Sequence, residues 1–159
     1  VAELGGLRPV VSNTQSLSGW CSLGVAIAEV TNDSSFVRPF VQSGGHARSL
    51  QMLQDNNADF ASIDAATFRL LKRHRPKLTN GLRTIGHGPV VPATPIIVSK
   101  SSTVDADELY RVVSGVFGRS DLQAALADIG ISGFVRLANS DYDGVMELVK
   151  MAEVVLPRK

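Results

Sequence analysis

Between Val41 and Pro76 the chain reads VQSGGHARSLQMLQDNNADFASIDAATFRLLKRHRP, and its hydrophobic period switches repeatedly between that of a strand and that of a helix. A short apolar strand, a Gly-Gly turn and a helix are followed by a second short strand ending in Asp64 and a helix stopped by Pro76. Strands alternating with helices at this spacing predict an α/β fold, a mostly parallel sheet flanked by helices. In open sheets of that kind, the loops leaving the carboxyl ends of strands hold small ligands. Ser43, Gly44, Gly45 and His46 place a hydroxyl, a flexible turn and an imidazole at one such helix start, a natural site for an anion.

The same alternation is expected on both sides. Arg8 to Asn13 reads as a strand, with Pro9 near its beginning where a lost N–H is tolerated. A polar turn from Asn13 leads into a helix with Trp20, Leu23, Ile27 and Val30 on one face, ending about Thr31. Phe36 to Gln42 is the next strand. A helix with Ala47, Leu50 and Leu53 on one face, ended by Asn56-Asn57, and a helix over Ala66–Arg75 follow, with Phe60–Ile63 as the strand between them. Two further strands are predicted at Leu82–His87 and Pro95–Lys100, joined by the stiff link GPVVPATP. Asp105 with Glu108, and Ser120 with Gln123, have capping-box spacing and start helices reaching Phe117 and Ile129. Phe134–Leu137 is a short extended piece, and Tyr142 to about Val154 is a last helix with Val145, Leu148, Val149 and Ala152 inward. Residues 1–90 are read as one ligand-binding lobe, and 91–159 as a return segment with C-terminal helices.

With 44% hydrophobic and 19% charged residues, the 159-residue chain can bury a core. Sixteen basic against 15 acidic side chains leave a net charge of +1, which argues against a nucleic-acid partner. The cations from Arg69 to Lys77 sit in the last turns of a helix, where they complement its dipole, and no aromatic residues interleave them. Cys21 is the single cysteine, so an internal disulfide and a cysteine-rich zinc site are excluded. No partner spacing around His46, His74 or His87 suggests a metal, and no cofactor is expected. No apolar run approaches the roughly 18 residues of a membrane span, and no signal peptide is visible.

Candidate binding residues cluster at three helix starts. Thr14, Ser16, Ser18 and Gly19 open the first. There the serines serve as N-caps, or their hydroxyls and the free N–H groups converge on an oxyanion at the positive end of the dipole. A nucleophilic serine is disfavoured, because the residues two before Ser16 and Ser18 are Thr14 and Ser16 where a GxSxG elbow needs glycine. His46 opens the second, as a structural histidine or as a donor to the same anion. Asp64 opens the third, as a plain cap or as a reader of a cationic group on the ligand, since a carboxylate repels a bare phosphate. An amino-substituted phosphonate satisfies both ends.

The stretches SLSGW, SGGHARSLQMLQDNNADFASIDAATFRLLKRHRP, LRTIGHGPVVPATPIIVS and ALADIGISGFVRLANSDYDGVMEL, in that order, resemble the phosphonate/phosphate-type substrate-binding proteins of ABC importers. The resemblance implies a type II periplasmic-binding-protein fold, two α/β lobes closing on a ligand at a hinge. It implies a small oxyanion gripped by Ser16, Ser18 and His46, with Asp64 facing the cleft. It also implies an ABC permease as partner and a periplasmic or cell-surface location, a cytoplasmic one remaining open. Leu17 stands where the family often has a hydroxyl residue, and Gly44-Gly45 replaces a more usual Gly-Ser. Much of the N-terminal lobe is expected to be absent from this chain, and a lone lobe leaves one wall of a clamp, so weak phosphonate binding is expected. A ligand-sensing regulatory domain on the same fold is the alternative; an enzyme is not expected, since no nucleophile–base–orienter set shows in the spacing.

Overall fold

The computed structural model describes residues 1–158. Its elements run β1 (Pro9–Val11), α1 (Ser22–Ala28), β2 (Val41–Gln42), α2 (His46–Gln54), β3 (Phe60–Ala61), α3 (Ala65–His74), α4 (Ala106–Phe117), α5 (Gln123–Ile129) and α6 (Asp143–Val155). A π-helical turn, Leu17–Cys21, leads directly into α1. The chain forms two compact units: Val1–Val91 together with the chain from Asp143 onward, and Pro92–Tyr142.

In the first unit the three strands form one parallel sheet in the order β2-β1-β3. Val10 pairs with Val41 on one side and with Ala61 on the other. This is the α/β arrangement the alternating pattern predicts, and the parallel pairing puts the loops after all three strands on one edge. The observed strands are shorter than the apolar runs that predict them. Parallel pairing needs a partner on each row, and the rows shared by three strands are few.

The core packs the sheet against α1 and α6. Val11, Trp20, Leu23, Ile27, Phe60, Ala152, Val155 and Leu156 belong to one buried cluster. The inward face expected of the last helix is present: Ala152 and Val155 are buried, and Leu148 and Val149 pack against the cluster. Its tail also reaches the polar edge. The Trp20 indole Nε1 donates to the Leu156 carbonyl at 3.0 Å, and the Arg158 guanidinium lies 4.4 Å from the ring centroid. On the opposite edge Arg8 forks onto Asp59, with Nη2 to Oδ1 at 2.8 Å and Nε to Oδ2 at 3.0 Å, tying the start of β1 to the start of β3.

The two strands expected at Leu82–His87 and Pro95–Lys100 are not formed; both stretches are irregular. For the first, β3 offers only two ladder positions, Gly86 interrupts the stretch, and Gly81 (φ +73°) and Gly88 flank it. For the second, no strand exists within Pro92–Tyr142 to pair with, and Ile97 is 83% exposed. Phe134–Leu137 likewise forms no ladder, but Phe134 stacks on Phe117 with centroids 5.5 Å apart. The first capping box is half realised, since Asp105 Oδ1 accepts from the Glu108 N–H at 2.8 Å. The second is not. Gln123 Nε2 donates back to the carbonyls of Phe117 and Arg119, closing the end of α4. Gly130 at φ +75° ends α5 in the left-handed conformation its position predicts.

Candidate functional site at the carboxyl edge

Three turns leave the carboxyl ends of β1, β2 and β3, and side chains join them. The Ser18 hydroxyl lies 3.1 Å from His46 Nε2, joining the turn after β1 to the start of α2. The Ser62 hydroxyl donates to the Ser18 carbonyl at 2.6 Å, joining the turn after β3 to the same residue. Ser18 is therefore the node between all three turns. The β2 turn is held from beneath by the backbone, with Ser43 N–H donating to Val11 O at 2.9 Å and Gly44 N–H to Ser12 O at 2.8 Å.

Each candidate residue has a definite place. Ser16 caps the π-helical turn, its Oγ accepting from the Gly19 N–H at 2.9 Å. Gly19 is buried, and a Cβ there would lie 2.3 Å from Ser12 Oγ and 2.9 Å from Ser16 Oγ, so only glycine lets the turn close over β1. Thr14 approaches β2 through its N–H, 3.3 Å from Gln42 Oε1. The Ser43 hydroxyl is taken up inside its own loop, 2.7 Å from Ser49 Oγ and 3.0 Å from the Gly45 carbonyl. That residue shapes the turn. Gly44 adopts φ +87°, whereas Gly45 is extended, with open space where a side chain would go.

Two helix starts converge here. No side chain caps α2, and the first N–H groups of any helix lack intrahelical acceptors. At the head of the π-helical turn the Gly19 N–H is already taken by Ser16 Oγ, and a helix start whose remaining N–H groups lack acceptors is receptive to negative charge. His46 begins α2 with its Nδ1 buried and unpartnered. Burial pushes this imidazole below its ordinary value, and the Asp64 carboxylate opposes the shift only in part. Asp64 caps α3, its Oδ1 accepting from the Thr67 N–H at 2.7 Å. Burial acts to raise the Asp64 carboxyl, but the hydrogen bonds from Thr67 and the nearby His46 outweigh it and leave it below its ordinary value.

Three serines join the candidates: Ser12, Ser49 and Ser62. Ser12 Oγ is buried without a partner directly under Gly19. Ser49 is fully buried against Ser43, and Ser62 holds Ser18. For Ser12 and Ser62 a signal existed, since each is the first residue past a strand end. Hydroxyls, an imidazole and helix-start N–H groups lie at one edge, with a carboxylate near the imidazole. That set suits a small oxyanion carrying a cationic substituent.

A search of curated proteins finds no match to this chain. Residues 1–142 match the family model described as ABC transporter, phosphonate, periplasmic substrate-binding protein. The serine turn, the glycine-histidine turn and the Asp64 strand end all lie within the match. The chain belongs to the periplasmic phosphonate substrate-binding protein family of ABC transporters.

Proposed function

We propose that this chain captures a small phosphonate or phosphate-ester oxyanion at the carboxyl edge of its sheet and presents it to an ABC permease in the periplasm. The observation that carries the reading is the 3.1 Å approach of Ser18 Oγ to His46 Nε2, which brings two helix starts to one point. An oxyanion there accepts from the hydroxyls of Ser16 and Ser18, from the His46 ring and from backbone N–H groups. Charge-assisted bonds of this kind are roughly twice as strong as neutral ones. Asp64, close enough to His46 to act on its charge, receives an ammonium group on the same ligand. Gly44-Gly45 and Leu17 supply no hydroxyl, so backbone donors carry more of the recognition here. The role is capture without chemical conversion of the ligand.

A ³¹P NMR titration with phosphate, methylphosphonate and an aminoalkylphosphonate tests the reading. Ser18→Ala and His46→Ala are each expected to weaken all three by about tenfold, the scale of one lost charge-assisted bond. Asp64→Asn is expected to remove the preference for the amino-substituted ligand alone. Unchanged affinities in Ser18→Ala and His46→Ala would sink the assignment.

A further inference from the structure

We infer that the first unit holds a second site, adjoining the turn after β3 but not lined by Ser18, His46 or Asp64, that takes a small carboxylate with an apolar body. A cavity of about 430 Å³ runs beside β3, walled by α1, α2, α3 and the irregular stretch Leu82–Gly88. That volume lies within the roughly 300–1,000 Å³ of small-molecule sites. Leu23, Leu53, Phe60, Phe68 and Ile85 form its apolar wall. Neither Ser18, His46 nor Asp64 lines it; Ser62 alone, among the residues joining the three turns, borders it.

The charge of the wall selects the ligand. Arg69 and Arg83 both line the cavity and both are exposed, so each adds a positive charge beside its apolar wall. No Asp or Glu lines the cavity, and none occurs in the sequence between Asp64 and Asp105. Among the described residues, Arg69 and Arg83 form no ion pair. Two exposed arginines without an ion pair among the described residues, lining a cavity with an apolar wall, match an anionic head and an apolar tail. A guanidinium receives a carboxylate through two parallel N–H donors. A bare phosphate leaves the apolar wall unused, and a cationic amphiphile is repelled.

Titration of the 159-residue chain with decanoate, decanol and decyltrimethylammonium, followed by isothermal calorimetry and by methyl NMR of Leu23, Leu53 and Ile85, tests the site. Decanoate is expected to saturate at one equivalent and to bind about tenfold more tightly than decanol, with no saturable binding of the cation. The double variant Arg69→Gln, Arg83→Gln is expected to lose that tenfold advantage and keep the decanol affinity, while the Arg69→Lys, Arg83→Lys pair keeps most of it. Both positions are exposed, so circular dichroism is expected to show an unchanged fold. Ser18→Ala is expected to leave decanoate binding as it is, which separates this site from the oxyanion site. Equal affinity for decanoate and decanol, an unaffected glutamine variant, or loss on Ser18→Ala would each overturn the inference.

Discussion

Gly44 and Gly45 are adjacent and chemically identical, and the fold uses them differently. Gly44 sits at φ +87°, a region that costs an L-residue about 1 to 2 kcal/mol, whereas Gly45 is extended with space around it. Gly44→Ala is therefore expected to lower stability by about that amount in urea unfolding. Gly45→Ser is expected to be near neutral in stability and to tighten phosphonate binding, because it adds a hydroxyl at the start of α2. His46 makes a second prediction at this scale. Its folded-state pKa is lowered by burial, so the unfolded chain binds the proton more readily. Its share of stability is complete above the ordinary value of about 6.5 and is lost as pH falls from there toward the lowered folded value. Urea midpoints measured across that range are expected to fall with acid in the native chain and to flatten in His46→Gln. A midpoint equally pH-dependent in both would disprove the burial argument.

Elements meet closely where small residues permit it. A Cβ on Gly24 would lie 2.4 Å from Ala152 Cβ and 2.6 Å from its Cα, so α1 and α6 are packed backbone to backbone at that crossing. Gly24→Val is expected to force them apart and cost about 1 to 3 kcal/mol, typical of overpacking. Gly115→Ala in α4, where nothing lies within 4 Å, is the internal control and is expected to gain most of the roughly 1 kcal/mol of helix propensity. Equal thermal midpoints in the two variants would show that the α1–α6 crossing is looser than its geometry. The same crossing matters to the site, because the tail of α6 holds Trp20, one residue after Gly19.

For the whole molecule, what could be read in advance follows from how far each signal reaches along the chain. Helix starts and ends are local, so Asp64, Asp105 and Gly130 act where their spacing places them. Parallel pairing also follows from the alternation of strands and helices. Whether an apolar run becomes a strand depends on a partner elsewhere, and Leu82–His87 and Pro95–Lys100 lack one. The oxyanion turns were legible as residue types, but Ser43 proved to be spent inside its loop and Ser62 to be the bond that holds Ser18. By itself the sequence determined the α/β class, the capping residues and the three helix starts that bear hydroxyls, a histidine and a carboxylate, because each depends on neighbours a few positions apart. Only the tertiary structure decided that Ser18 meets His46, that α6 belongs with the β1–β3 unit, and that arginines stand at an apolar cavity. Those pairings join residues far apart in the chain, and no local preference encodes which distant partners will share a surface.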